Sequence, residues 1–222
     1  MIKSKTKATG SIEVSQTSFA DFVLKMGLPK LTCAQSIRRQ YERGYSPALD
    51  YYKKFRNTVR STHRQHLPMI SLGDALKSVA NANKQANYEL LGRGYTKFWS
   101  SYLEPQSLQW CTAPVAAWTH GRVTVRVNPE LAFRDERHNY LVKLYVKDEP
   151  LTKPQVSVIL HLMQLALRPV VLNPVCVILD VRRGKPFEAT TFNPKWTVLL
   201  EGEALSFERM YTARFDDETV FE

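Results

Sequence analysis

Apolar positions recur along the chain with two different periods, and the period changes near Pro105. Before that point they fall at intervals of three and four, the spacing of amphipathic helices. Residues 1–17 read as a polar lead-in. Ser18 then serves as an N-cap before Phe19, Phe22, Val23 and Leu24. A second helical stretch, TCAQSIRRQYERG, ends at Gly44, and a third opens on Ser46-Pro47 with Leu49, Tyr52, Phe55 and Val59 on one inward stripe. Ser71 with Asp74 resembles a capping box that starts a long helix to about residue 104, which Gly92-Arg93-Gly94 would kink or split.

After Pro105 the pattern shortens to alternation, the mark of strands. SLQWCTAPVAAWTHG is a first strand broken near Pro114. Gly121 turns the chain into RVTVRVNPELAF, and NYLVKLYVK returns from a turn centred on Glu136-Arg137. Pro154 opens an apolar helix to about Leu167, VCVILDV reads as a buried strand, and RRGKP turns into a further strand pair, FEATTF and WTVLLEGE. The expected class is α+β (or α/β): a lead-in (1–17), a basic helical region (18–104) and a mixed-sheet domain with one packed helix (105–222), which the helix 71–104 could join. The acidic tail DDETVFE would fray or dock on the basic region.

Charge sharpens this division. The 222-residue chain carries a net +10, and residues 1–70 hold thirteen Lys and Arg against four Asp and Glu. Almost the whole excess therefore sits in the N-terminal third. Arg38, Arg39 and Arg43 fall on a polar helix side, and Lys53, Lys54, Arg56 and Arg60 face away from the inward stripe, interleaved with tyrosines. Such a surface suits a polyanion, and nucleic acid is the expected partner, DNA ahead of RNA. A solvated helical face is the plainer alternative. No apolar run reaches the length of a membrane span and no secretory leader follows the basic start, so a cytoplasmic protein is expected. Cys33, Cys111 and Cys176 lie far apart without metal-ligand spacing and read as reduced core residues.

The candidate chemistry lies in the strand pair. A turn at Glu136-Arg137 places Glu130 across from Lys143 and Arg126 across from Lys147, which gives cross-strand ion pairs with no further function required. The order of elements, with Pro129-Glu130 ending one strand and Lys143 on the next, also resembles the PD-(D/E)XK nucleases. That resemblance, over about residues 85–185, implies a metal-dependent nuclease fold in which Glu130 binds Mg²⁺ and Lys143 polarises the attacking water. Glu89 matches the family's helical glutamate, and Gln155 sits where some members carry a glutamine. The position two before the lysine is Leu141 rather than an acid, so Glu89 or Asp180 would complete the ligand set. Asp180 reads first as a turn-capping residue before RRGKP.

Elsewhere the chemistry is sparse. His63 and His66 read as surface residues, His120 and His138 as turn residues, and His161 as a satisfied core histidine; no GxSxG, HExxH or Walker pattern occurs. The sequence reads as a nucleic-acid-binding protein with a degenerate nuclease-like domain. The alternative is a non-catalytic interaction or assembly protein of a mobile element or defence system, holding a protein partner.

Overall fold

A computed structural model describes residues 10–44, 51–77, 82–103, 108–189 and 191–214. Lys3, Lys5, Lys7, the Ser46-Pro47 opening, Leu49, the boundary at Pro105 and the acidic tail lie outside these residues.

The lead-in contains structure that was not expected. Ile12–Ser15 forms a strand, β1, with Ile12 and Val14 buried, and it pairs in parallel with a strand more than a hundred residues away. No local pattern encodes such a partner. Helix α1 (Gln16–Val23) follows at once, and its N-cap is Ser15 rather than Ser18: the Ser18 backbone N–H donates to Ser15 Oγ. Helices α2 (Gly27–Glu42), α3 (Lys53–Arg64), α4 (Met69–Lys77) and α5 (Ala82–Ser101) complete the helical region. The long helix expected from Ser71 is thus two helices. The first starts at Met69 without a cap at Ser71, and Gly92-Arg93-Gly94 runs unbroken through α5. Gly94 is there for contact rather than for a kink, since a Cβ at this position would lie 1.8 Å from the Val181 carbonyl oxygen.

The strands divide between two sheets, because the chain changes sheet at each apparent break. β2 (Gln109–Cys111) and β3 (Ala116–His120) lie on either side of Pro114; β4 (Val123–Val127) and β5 (Leu131–Arg134) lie on either side of Asn128-Pro129. β1, β4 and β3 form the smaller sheet. β2, β5, β6 (Asn139–Tyr145), β7 (Pro174–Asp180) and β8 (Lys185–Glu188) form the larger one, in those orders. The expected single strand over RVTVRVNPELAF is therefore two strands, since Pro129 cannot donate to a ladder. Arg126 accordingly does not face Lys147: it lies 3.9 Å from Glu13, and Lys147 pairs with Asp21 at 2.9 Å. β6 and β7 run parallel, and α6 (Lys153–Leu167) provides the crossover that such a pair requires.

Both faces of the larger sheet are covered. Leu141, Cys176 and Ile178 pack with α1, α6 and the smaller sheet, whereas Val142, Leu144, Val177 and Leu179 pack with α3, α4 and α5. This explains why β6 and β7 read as nearly continuous apolar runs. The last strand pair is corrected: β8 stops at Glu188, and WTVLLEGE belongs to helix α7 (Pro194–Thr212). Its β-branched start imitates a strand, but Asn193 caps it, Pro194 opens it, and Leu200, Ala204 and Phe207 form a buried helical stripe. The class is α+β. No helix among the described residues is long and apolar enough to cross a membrane.

Candidate functional site

Glu130 follows the proline that takes the chain out of the smaller sheet, and every polar group it has is used. Its N–H donates to the Val142 carbonyl at 3.0 Å, and its carbonyl accepts from Arg60 Nε of α3 at 3.0 Å. Its carboxylate accepts from Lys143 Nζ at 2.8 Å through one oxygen and from the Leu144 N–H at 2.9 Å through the other. Lys143 Nζ also donates to the Asn128 carbonyl at 3.2 Å. Where the strand has turned away, the Glu130 carboxylate takes the Leu144 N–H in place of a ladder partner, and the Glu130 carbonyl, through Arg60, ties α3 to the sheet. The pair is largely buried, with side chains 17% and 10% exposed for Lys143 and Glu130.

This junction forms the floor of a groove. Two adjoining recesses of about 630 and 650 Å³ share Asn57, Arg60, Asn128 and Glu130 and follow one another along α3, and together they make up a channel that the Arg60–Glu130 bond crosses. One wall is the helix. Lys53, Arg56, Asn57, Arg60 and Arg64 recur at three- and four-residue spacing and face the channel, while Phe55, Val59, Thr62 and His63 turn into the core. The facing wall comprises the start of α1, Tyr41 of α2, Arg126 of β4 and the two crossings between sheets, 112–115 and 128–130. Among the described residues six that line it are cationic (Lys53, Arg56, Arg60, Arg64, Arg126 and Lys143) against one carboxylate, Glu130, which pairs with Lys143, while Arg126 lies near Glu13. An excess of one sign in a recess with low-dielectric walls concentrates the field there.

The other residues singled out from the sequence lie apart from this junction. Arg38 is bound to Glu42 and to the Ala213 carbonyl beside α7; Arg39 and Arg43 are exposed on α2, outside the channel, and Lys54 is exposed on the side of α3 that does not line it. Glu89 accepts from Gln85 at 3.0 Å on α5, the helix covering the Val142 and Leu144 face of the sheet. Lys143 and Asp180 project from the opposite face, because alternate residues of a strand do. Asp180 is buried and pairs with Arg183 at 3.2 Å. Among the described residues no three His, Cys, Asp or Glu side chains gather as a metal-ion site. Gln155 closes a capping box with Thr152 at the start of α6.

Two histidines have defined roles. His161 is a satisfied core residue, 2.9 Å from Thr197 Oγ1 and stacked on Phe192. His63, expected at the surface, is buried: it lies 2.6 Å from Tyr95 Oη and is surrounded by Trp99, Trp110 and Phe133. Burial, with the neighbouring His66, holds its pKa down to about 4, so the ring is neutral at pH 7. Among the cysteines, Cys176 is buried and its thiol is pushed up to about 12 by burial; all three are free thiols.

Arg64, Arg126, Trp110 and Asn128 were not singled out as site residues from the sequence. Arg64 was recoverable, since it continues the outward spacing of Lys53, Arg56 and Arg60 on α3. The other three depend on the sheet change and carry no local signal. Comparison with protein-family models and with curated protein sequences finds no match.

Proposed function

We propose that the protein binds nucleic acid in the channel along α3. The observation that carries this reading is the stripe of Lys53, Arg56, Arg60 and Arg64 lining a recess that also takes in Arg126 and Lys143. Cations spread over a convex face neutralise phosphates weakly; cations drawn into a channel with one carboxylate on its floor meet a bound backbone from two sides. Glu130 and Lys143 act here by position: their ion pair closes the floor, and the Glu130 backbone carbonyl holds α3 through Arg60. Among the described residues no three carboxylate, histidine or cysteine side chains gather around Glu130, and no Mg²⁺-assisted step is assigned to these residues.

The test compares two sets of charge removals in the full chain. Lys53→Gln, Arg60→Gln and Arg64→Gln together should weaken binding of a fluorescent oligonucleotide at low salt by tenfold or more. Arg39→Gln with Arg43→Gln, on exposed α2, should change it less than threefold. Circular dichroism of each variant checks that the fold is kept. The reverse ranking would move the interface to α2.

A second reading, a protein-interaction module, is favoured by the outer side of α7. Val198 and Leu205 are 69% and 55% exposed there, opposite the buried Leu200, Ala204 and Phe207. Loss of self-association or partner binding on Val198→Lys with Leu205→Lys, at unchanged oligonucleotide affinity, would support it.

A further inference from the structure

The shape of the channel specifies more than charge. We infer that it takes a single strand, with a base stacked on Trp110, and this rests on the nucleic-acid reading above. At the Arg64 end of the channel the wall includes Trp110, which is partly exposed. Its inner surroundings are built to hold it still. The His63 ring lies parallel to it, 9° between planes at 5.9 Å, and Phe133 meets it edge-on at 5.5 Å. His63 is in turn fixed to Tyr95. His63, offset and nearly parallel, and Phe133 thus hold the indole in place where Trp110 borders the cationic channel, an arrangement that presents a partly exposed aromatic side chain to an unpaired base.

Three further features favour a single strand over a duplex. The α3 cations lie along a recess rather than on a projecting helix, and entry into a major groove requires an element that protrudes. From Lys53 to Arg64 the stripe extends about 17 Å at 1.5 Å per residue, which suits on the order of 4 nucleotides, the short end of single-strand site sizes. Neutral amides, Asn57 and Asn128, lie between the cations where the two recesses join, and they can donate to and accept from base edges without adding charge. Backbone phosphates would follow α3 while the terminal base turns onto Trp110.

The experiment uses the full chain with short oligo-dT, oligo-U and a hairpin duplex at low salt, reading anisotropy and tryptophan fluorescence together. Oligo-dT or oligo-U should bind at least tenfold more tightly than the duplex and quench the tryptophan emission; the two single strands show which sugar is preferred. Trp110→Ala should weaken single-strand binding about tenfold. Because truncation in an aromatic cluster can unfold it, Trp110→Phe is the second arm: it should retain most of the affinity while losing most of the quenching. Equal or tighter duplex binding, with both Trp110 variants neutral and the α3 charge removals still damaging, would overturn the single-strand inference and leave the channel reading intact. Absence of salt-dependent binding to all three probes would overturn both.

Discussion

His63 shows what one buried polar residue does to the stability of this molecule. In the unfolded chain its pKa returns to about 6.5, whereas in the fold it is near 4, so the unfolded state holds the proton more tightly. The contribution to stability is complete above about pH 6.5 and is lost as the pH falls towards 4, in total about 3 kcal/mol. Urea midpoints should therefore drop between pH 7 and pH 4.5, and His63→Phe should flatten most of that drop, His161 supplying a smaller part in the same direction. A slope unchanged in the variant would place the titration elsewhere. Glu130 gives the second residue-scale expectation. Glu130→Ala strands a largely buried ammonium and removes the acceptor of the Leu144 N–H, so it should cost about 3 kcal/mol by urea denaturation, well above the value of an exposed pair. Lys143→Met added to it should recover part of the loss, since the charge left behind is then gone. A loss under 1 kcal/mol in the single variant would show that the pair is solvated.

At the scale of elements, two helical glycines should respond in opposite ways to the same substitution. Gly94 of α5 lies against the turn after β7, and a Cβ would enter the Val181 carbonyl; Gly94→Ala should destabilise by about 3 kcal/mol or prevent α5 from docking. Gly202 of α7 has nothing within 4 Å, so Gly202→Ala should stabilise by about 1 kcal/mol through helix propensity. Melting temperatures of the two variants, which should move in opposite directions, check both statements. The sequence read elements well where an amphipathic period ran long enough. The apolar helix α6 and strand β7 fall where expected because Pro154 and Gly184 punctuate them and their apolar runs are continuous. It read α7 wrongly because Thr197, Val198, Leu199 and Leu200 imitate a strand, and only the longer stripe through Phe207 shows the helix. β1 was missed because its four residues gain stability only from a partner strand far along the chain.

Over the whole molecule, the channel exists because the chain twice changes sheet beside α3, at 112–115 and 128–130, and leaves a gap there that neither sheet fills. Half of this was legible. Glu130 facing Lys143 follows from the turn alone, and the outward charge of α3 follows from its helical period. That the two meet, through Arg60 and the Glu130 carbonyl, depends on the sheet change, which Pro129 hints at and no local pattern determines. The proposed role of these groups is to receive a phosphate backbone together. The most direct measurement is oligonucleotide affinity as a function of salt, for the unmodified chain and for the Lys53, Arg60 and Arg64 removals. Log K should fall linearly with log salt, and each phosphate contact removed should flatten the slope by about 0.7–0.9. A steep slope left unchanged by the three substitutions, or affinity indifferent to salt, would contradict it.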